Sequence, residues 1–181
     1  MRDILRLGLK LFAIAAIAGL LLGLTNALTE GPIEAQRVSE TVASRQAVLP
    51  EAVTFEEAEA GSIEEAYYGL DAQGAVVGCT GKISVSGYGG NIAVVVGMRP
   101  DGTIAGVAVG GSDFQETVGL GAKTRDAVFT GQFANRETPV ALKKDGGEID
   151  AVTSATISST AVVDGINAVC EQLKWLLAQG R

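Results

Sequence analysis

The chain has 181 residues, a formal net charge of -7 and no histidine. The acidic balance disfavours nucleic-acid binding, which depends on a basic surface that neutralises phosphates. The absence of histidine excludes the Ser-His-Asp triad, the Cys-His dyad and zinc or haem sites that are held by imidazole.

The first predicted element is a membrane-spanning helix. No charged residue occurs from Leu11 to Thr29, and with the apolar residues just before it this stretch is long enough to cross a hydrocarbon core of about 30 Å. Arg2, Arg6 and Lys10 precede this stretch, and Glu30 and Glu34 follow it. They predict a cytoplasmic N-terminus and an extracytoplasmic remainder. A cleaved signal peptide is the alternative, but the stretch is long for one and its exit lacks a clean small-x-small site.

The next two segments connect this anchor to the rest of the chain. Gly31-Pro32 predicts the end of the anchor helix, and residues 33–49 predict a moderately amphipathic helix that Pro50 ends. The segment from Phe55 to Ile63 is rich in glutamate. We interpret it as a solvated face or loop and not as a metal site.

From residue 65 onward the pattern predicts consecutive hairpins. Two strands are expected around Asp71-Ala-Gln-Gly74, and residues 82–86 alternate until Gly87-Tyr-Gly-Gly interrupts them. Asn91 to Met98 reads as a strand of β-branched residues, Arg99-Pro-Asp-Gly102 as a turn, and Thr103 to Val109 as the returning strand. Consecutive hairpins predict an antiparallel meander.

The C-terminal third is predicted to be mixed. Residues 110–124 are polar and glycine-rich without a period, 126–133 suit a short helix, and 140–142 and 148–152 suit short strands. Residues 158–178 carry an apolar stripe at spacings of three, four and seven, which predicts a long amphipathic helix. The predicted fold class is therefore α+β: an N-terminal transmembrane helix (1–29), a helical linker (30–50), and a domain (51–181) with an antiparallel sheet and flanking helices.

The two cysteines, Cys79 and Cys170, are far apart and in no CxxC motif, so they cannot alone hold an iron–sulfur cluster. We expect two buried thiols, with a disulfide as the alternative if the domain lies outside the cytoplasm. Any redox group that this chain carries is then an organic cofactor, and no metal site is expected.

The segment Asp150-Ala-Val-Thr-Ser-Ala-Thr156 lies where a strand is predicted to run into the long helix. A helix start has unpaired N–H groups and a partial positive charge, and both favour a phosphate. The crowded hydroxyls here also have a simpler explanation, because Ser and Thr are common N-cap residues. Without a histidine to activate one of them, they do not form a nucleophilic site by themselves.

The same segment closely resembles the flavinylation motif of the FMN-binding domain in the G subunit of the Rnf complex and in the C subunit of the sodium-pumping NADH:quinone reductase. That motif contains Asp, two variable residues, Ser or Thr, usually Gly, then Ala and Thr or Ser. Asp150, Thr153, Ala155 and Thr156 match it, and Ser154 replaces the usual glycine. In the family a separate flavin transferase joins FMN to the final hydroxyl through a phosphoester, which implies that Thr156 is the acceptor here.

The resemblance extends along nearly the whole chain. The anchor, Gly87-Tyr-Gly-Gly-Asn-Ile, the Pro-Asp-Gly hairpin and Glu116-Thr-Val-Gly-Leu-Gly resemble Rnf G subunits in order and spacing. Val118 replaces a proline that is usual in the last motif, which leaves that loop less rigid. The short chain favours the Rnf G subunit over the quinone reductase C subunit, which is usually longer.

The resemblance implies an electron-transfer subunit of a membrane complex that couples ferredoxin:NAD+ oxidoreduction to Na+ or H+ translocation. The expected cofactor is covalent FMN, and the isolated chain is expected to be only an electron carrier. The expected partners are the other Rnf subunits (D, A and E), the flavin transferase and the lipid bilayer. The cofactor-binding residues implied are Thr156, Asp150, Thr153, Ser154, Ala155, Glu116, Thr117, Gly119, Leu120, Gly121 and Lys123.

Within that set the loop from Glu116 to Lys123 is expected to frame the flavin ring with backbone N–H groups, and its glycines permit close approach. Lys123 either offsets the phosphate charge or is simply solvated. Two alternatives for the chain as a whole remain: a noncovalent FMN carrier, and a membrane-tethered interaction module without redox chemistry, in which the hydroxyl cluster is a plain helix cap.

Overall fold

The structure is a computed structural model that describes residues 2–179. The chain divides into two compact units, Met1–Ser39 and Glu40–Arg181. The second unit contains the whole sheet and the C-terminal helix.

Helix α1 covers Arg2–Val48 and continues through Pro32. The prediction that Gly31-Pro32 ends the anchor helix is therefore wrong. Proline removes one backbone N–H donor and crowds the preceding residue, but Gly31 has no Cβ to meet the proline ring. The predicted end at Pro50 is correct to within two residues, because α1 ends at Val48.

Within the first unit, Arg2–Ile33 is long and apolar enough to cross a membrane, and no other helix segment among residues 2–179 is. The polar side chains of this segment are partly satisfied inside the helix. The hydroxyl of Thr25 donates to the carbonyl of Leu21 at 2.9 Å, and that of Thr29 donates to the carbonyl of Thr25 at 2.9 Å. Such bonds suit a helix in lipid, where water does not compete for the hydroxyl.

The second unit is built on an antiparallel sheet whose strands lie in chain order, as predicted for a meander. The strands are β1 Thr54–Glu57, β2 Glu65–Leu70, β3 Val76–Ser86, β4 Asn91–Met98 and β5 Ile104–Gly110. The bounds of β4 coincide with the predicted ones. In the turn that follows it, the Asp101 carboxylate accepts the N–H and the hydroxyl of Thr103, and these bonds lower the pKa of Asp101.

Strand β1 was not predicted. Its residues are mostly exposed, and two of its four residues are glutamates, so it shows no buried alternation. It forms because it pairs with β2 at the edge of the sheet, where Phe55 lies opposite Gly69. Charged residues are a common feature of edge strands, where they discourage pairing with another chain.

The C-terminal third contains short helices and one long one. α2 covers Ala127–Thr130 and is flanked by 3-10 helices at Gly121–Arg125 and Gly131–Phe133, and α3 covers Thr156–Gln179. The two short strands predicted around residues 140–152 are reduced to one parallel bridge between Leu142 and Ile149. A 3-10 helix, Lys143–Asp145, joins the two sides of this bridge.

Helix α3 packs on one face of the sheet through its apolar stripe. Val162, Ile166, Val169 and Leu173 are fully buried in this face, as the spacing of the apolar residues predicted. Burial of a stripe of this kind stabilises a fold by about 1.5 to 3 kcal/mol for each large side chain. The position of the start of α3 is therefore fixed by the core beneath the rest of the helix.

The opposite face of the sheet is covered by the C-terminal end of α1. Val48 and Leu49 are buried there against a band of glycines that runs across four strands. The glycines are Gly69, Gly78, Gly97 and Gly106. A Cβ on Gly97 would lie 2.2 Å from the carbonyl oxygen of Val48, so only glycine permits this approach of backbone to sheet.

Arg45 reinforces the same contact. Its guanidinium lies 3.4 Å from the ring centroid of Tyr67 and 3.1 Å from the carboxylate of Glu65. Lys82 reaches the other carboxylate oxygen of Glu65 at 2.9 Å. The last turns of α1 are thus part of the second unit and are held by both apolar and charged contacts.

Both cysteines are free and buried in the core between the sheet and α3. Removal from water disfavours the thiolate and raises the pKa of Cys79 and of Cys170 to about 12. These residues are therefore packed as small apolar groups in the structure, in line with the first of the two sequence-based expectations.

We predict that Gly97→Ala lowers the stability of the second unit by about 2 to 3 kcal/mol, because the added methyl group meets a backbone oxygen that cannot move freely. Thermal unfolding of the full chain in detergent, followed by circular dichroism, measures the change. Gly131→Ala is the matched control, because open space surrounds that glycine, and we expect a change within about 0.5 kcal/mol. Equal melting temperatures for the two variants would show that the close approach of Val48 to the sheet does not require glycine at position 97.

We also predict that neither thiol reacts with Ellman's reagent at pH 8 unless the chain is unfolded. Burial raises both thiol pKa values from the ordinary 9.0 to about 12, so the folded state holds these protons more tightly than the unfolded state does. The stabilisation is complete below pH 9 and is lost as the pH rises from 9 towards 12. Rapid labelling of the folded chain at pH 8 would refute this.

Candidate functional site

The candidate site is centred on a buried carboxylate. Glu116 is 7% exposed, and its Oε1 accepts the N–H of Tyr88 at 2.8 Å and the N–H of Gly89 at 3.1 Å. These donors belong to the Gly87–Gly90 turn between β3 and β4, on a hairpin remote in sequence from Glu116. The carboxylate therefore ties the turn to the loop that contains it.

Glycines make room for this carboxylate on two sides. A Cβ on Gly87 would lie 2.2 Å from Oε1 of Glu116, and a Cβ on Gly121 would lie 2.0 Å from Oε2. A third glycine, Gly89, has the backbone carbonyl of Gln115 in the place of a Cβ, at 2.3 Å. The glycines of the two motifs thus allow the turn and the loop to interlock around one side chain.

The second part of the site is the junction that leads into α3. Ala155 is buried just before the helix, and the hydroxyl of Ser159 donates to its carbonyl at 2.9 Å. The same hydroxyl accepts the N–H of Val152 at 3.0 Å. Ser159 therefore fastens the junction from inside, while Ser154 and Thr156 stay exposed.

Ser154 has a φ of 61°, the left-handed conformation that favours glycine. This explains why glycine is usual at this place in the motif. This position requires a residue that adopts a positive φ readily, and serine does not do so even though it is small. A non-glycine residue in this region costs about 1 to 2 kcal/mol, so the junction is under local strain.

The first turn of α3 is not capped by the hydroxyl cluster. Within residues 2–179, the backbone N–H groups of Thr156, Ile157 and Ser158 have no acceptor, and Ser159 is the first residue of the turn whose N–H is bonded. Among the described contacts, the hydroxyls of Thr153, Ser154, Thr156 and Ser158 make no hydrogen bond; only Ser159 does. The helix start therefore presents unpaired donors, as an anion site requires.

These parts enclose a cavity of about 420 Å³. Its lining residues are Tyr88, Glu116, Thr117, Leu120, Gly121, Ser154, Ala155, Thr156, Ile157 and Ser158. Most of the apolar side chains at its rim are exposed: Tyr88 is 73% exposed and Ile157 is 59% exposed. A cavity of this size with a few convergent polar groups suits a small organic ligand.

A second, more open groove of about 470 Å³ lies on the other side of Thr156 and Ile157. Its remaining lining residues are Val85, Ser86, Thr160, Ala161 and Asp164. This groove contains no unpaired buried hydroxyl among the described residues, in contrast to the cavity beside Glu116. Thr156 thus lies between the cavity and the groove and lines both of them.

The structure brings together seven of the residues implied by the motif resemblance. Glu116, Thr117, Leu120, Gly121, Ser154, Ala155 and Thr156 line the same cavity. Asp150, Thr153, Gly119 and Lys123 do not line it. The carboxylate of Asp150 pairs instead with Lys143 at 2.8 Å, and the Gln132 side-chain amide bonds both the N–H and the carbonyl of Asp150.

Three lining residues were absent from the sequence-based set: Tyr88, Ile157 and Ser158. The sequence does offer a signal for Tyr88, because it is an aromatic residue between glycines in Gly87-Tyr-Gly-Gly. Ser158 lies two residues beyond Thr156 at the helix start, and its hydroxyl could not be told from those of its neighbours by sequence. Both Ser158 and Ser159 are buried, and only their hydrogen bonding separates them.

Comparison with known proteins places this geometry in context. The family model described as "FMN-binding domain" matches residues 87–171, which include the turn, the loop and the junction. The G subunit of the Na(+)-translocating ferredoxin:NAD(+) oxidoreductase complex of Acetobacterium woodii is 39% identical over 91% of this chain and 88% of its own length. The G subunit of the ion-translocating oxidoreductase complex of Methanosarcina acetivorans is 32% identical over 94% of each chain.

A solved structure supports the fold. The crystal structure of the C subunit of Na(+)-translocating NADH-quinone reductase from Parabacteroides distasonis is similar with a TM-score of 0.50 and 18% identity. The match covers 64% of this chain and 63% of that one. At this identity the likeness concerns the fold alone, and it agrees with the α+β domain described above.

We predict that Ser154→Gly stabilises the chain by about 0.5 to 1 kcal/mol, because relief of the left-handed strain exceeds the entropy that glycine adds to the unfolded state. The melting temperature of the full chain in detergent should rise by a few degrees. Ser154→Ala is the control, because it removes the hydroxyl but keeps the strain, and we expect no rise. A gain of the same size in both variants would show that the hydroxyl, and not φ, is the cause.

Proposed function

This chain belongs to the family of G subunits of ion-translocating oxidoreductase complexes, and we propose that it carries FMN in a phosphoester bond to Thr156. It is an electron-transfer flavoprotein subunit of such a complex. FMN supplies the redox chemistry when it is bound, and the chain supplies its position and surroundings. The membership rests on similarity over most of the chain, and the attachment site rests on the geometry of the α3 start.

The observation that carries the attachment site is the unsatisfied first turn of α3. Three consecutive N–H groups, those of Thr156, Ile157 and Ser158, have no acceptor within the described residues. They lie at the positive end of a 24-residue helix, next to an exposed hydroxyl. Had the hydroxyl cluster been a plain cap, at least one of its oxygens would accept from this turn. This favours a phosphate-bearing ligand over the interaction module without a cofactor.

The cavity beside Thr156 fits the remainder of FMN. Its inner wall is polar at Glu116 and Ser158, and its rim is apolar at Tyr88, Leu120 and Ile157. An amphipathic ligand with a hydrophilic chain and a flat aromatic ring matches both parts. We therefore propose that Ser154, Ala155 and the loop residues Glu116, Thr117, Leu120 and Gly121 form the binding site with Thr156.

The other four motif residues have a different proposed role. Asp150, Thr153, Gly119 and Lys123 lie outside the cavity lining, so they do not contact a ligand that fills it. We propose that they shape the junction and the loop, with Asp150 held by Lys143 and Gln132 as the chain enters the site.

The covalent bond requires a second protein. No hydrogen bond among residues 2–179 involves the Thr156 hydroxyl, and the bonds at this junction are made by Ser159, so no side chain of the structure is hydrogen-bonded to it as a base. The chain also has no histidine that could move into that position. We propose that a separate flavin transferase recognises the exposed junction around Thr156 and supplies both the base that takes its proton and an activated FMN donor. The phosphoanhydride bond of that donor breaks, and its other nucleotide leaves, as the ester to Thr156 forms.

The chain is membrane-anchored, and we propose that its N-terminus is cytoplasmic and its domain extracytoplasmic. The three basic residues before Leu11 and the acidic residues after Thr29 support this orientation. We propose residues 1–29 as the cytoplasmic N-terminus and anchor, 30–50 as a helical linker whose last turns pack on the sheet, and 51–181 as the FMN-binding domain. A tether and a covalent bond both prevent loss of the cofactor on that side of the membrane.

The proposed partners are the other membrane subunits of an Rnf complex, its D, A and E subunits among them, which would exchange electrons with the flavin while ferredoxin and NAD+ react elsewhere in the complex. The isolated chain is then an electron carrier without turnover. Identity as the C subunit of a quinone reductase is disfavoured, because the relatives that cover most of the chain are named as G subunits.

We predict that the full chain, co-expressed with a flavin transferase and denatured, gives a fluorescent band under ultraviolet light, and that Thr156→Ala abolishes it. Only a covalent bond survives denaturation, and the variant lacks the acceptor oxygen. Thr160→Ala is the matched control, because it removes a hydroxyl one turn further along α3 and should leave the band bright. A dark wild-type band, or a bright Thr156→Ala band, would refute the attachment site.

A further inference from the structure

The cavity contains a polar pair that the phosphate site does not account for. The hydroxyl of Ser158 lines the cavity, the residue is 1% exposed, and its oxygen has no hydrogen-bond partner within the part of the chain that the structure describes. Buried hydroxyls without a partner are uncommon and costly, so each one calls for an explanation. A ligand in the cavity that reaches Ser158 Oγ would provide the missing hydrogen-bond partner.

Glu116 provides the second member of the pair. Its Oε1 is satisfied by the N–H groups of Tyr88 and Gly89, but its Oε2 has no donor among residues 2–179. A Cβ on Gly121 would lie 2.0 Å from Glu116 Oε2 and 3.0 Å from Ser158 Oγ. The two oxygens therefore lie close to each other beside Gly121, and both residues line the cavity.

The chemistry of this pair excludes an anion. A carboxylate only accepts hydrogen bonds and repels a phosphate, whereas a serine hydroxyl both donates and accepts. The anion is favoured a short distance away, at the free N–H groups of Thr156, Ile157 and Ser158. A ligand group that reaches both Glu116 and Ser158 must donate a hydrogen bond to the carboxylate. It must also donate to the serine hydroxyl or accept from it, and the hydroxyls of a sugar alcohol can do both.

We infer that Glu116 Oε2 and Ser158 Oγ bind the hydroxyl groups of the polyol chain that links the phosphate of the ligand to its ring. This rests on the proposed function, in which FMN is attached at Thr156, and it assigns Ser158 as a positioning residue. One hydroxyl of the ribityl chain donates to Glu116 Oε2, and a hydroxyl next to it pairs with Ser158 Oγ. These two contacts direct the ribityl chain of the ligand into the cavity beside Glu116 and away from the open groove near Thr160.

The first test separates positioning from a structural role by the sign of two effects. In the unflavinylated full chain, Ser158→Ala should leave the melting temperature unchanged or raise it, because it removes a buried hydroxyl that has no partner. In the flavinylated chain, the attached flavin should raise the melting temperature of the wild type, and Ser158→Ala should lose most of that increment. The fluorescence anisotropy of the attached flavin should also fall in this variant, because the ribityl chain is then less restrained.

Thr160→Ala is the matched control, since Thr160 lies on the same helix and lines only the other groove. It should keep both the increment and the anisotropy of the wild type. The inference is overturned if Ser158→Ala keeps the full increment, or if Thr160→Ala loses as much of it as Ser158→Ala does. The band assay on Thr156 reports separately on the proposed function, so a bright band with an unaffected Ser158 variant refutes only the polyol site.

A second test identifies the chemical group. The unflavinylated full chain is titrated with riboflavin, which has the polyol without the phosphate, and with lumiflavin, which has neither. We expect riboflavin to bind about tenfold more tightly than lumiflavin, and Ser158→Ala to remove that difference. A wild-type chain that binds riboflavin no more tightly than lumiflavin contradicts the inference. So does a Ser158→Ala variant that weakens FMN binding but keeps the preference for riboflavin, since Ser158 then holds the phosphate.

Discussion

The site depends on the hydrogen bonds that the Glu116 carboxylate accepts from the N–H groups of Tyr88 and Gly89. A buried carboxylate is stable only where donors replace the water that it loses, and here the donors come from a turn on a different hairpin. The turn and the loop are therefore held together by a side chain, without a shared strand. Gly87 and Gly121 are required on either side because any Cβ would occupy the space of the carboxylate oxygens.

Helix α3 combines stability and binding on one element. Its apolar stripe packs on the sheet, while three N–H groups of its first turn, next to the cavity, have no acceptor among residues 2–179. Ala155 and Ser159 are buried on the inner side of the junction, and Thr156 is exposed on the outer side. The exposed Thr156 hydroxyl is thus presented from a rigid support, as the proposed attachment of FMN at this residue requires.

The other face of the sheet explains how the last turns of α1 join the domain. They lie directly on a band of glycines, with Val48 buried and Arg45 between Tyr67 and Glu65. The compact unit that contains the sheet therefore begins within the helix, before the chain reaches Pro50. Because a sheet with two covered faces buries β4 on both sides, that strand consists almost entirely of small or β-branched apolar residues.

The sequence by itself determined the elements that have a local signal: the apolar N-terminal segment, the hairpins with their turns, strand β4 and the stripe of α3. The resemblance of Asp150–Thr156 and of the Glu116 loop to a known family also supplied the family, the FMN-binding domain and a hypothesis for its attachment. The sequence did not predict β1, which forms only because β2 lies beside it. It also did not predict that α1 continues through Pro32.

Only the tertiary structure decided which of these residues share one cavity. Ser158 and Ser159 are chemically identical and adjacent, yet the Ser159 hydroxyl is bonded inside the junction and the Ser158 hydroxyl has no partner among the described residues. Nor does any local pattern show that Glu116 meets a turn on another hairpin, or that Ser154 takes a left-handed conformation. Periodicity and turn chemistry act over a few neighbouring residues, whereas burial and hydrogen-bond partners depend on which distant segments the core brings into contact.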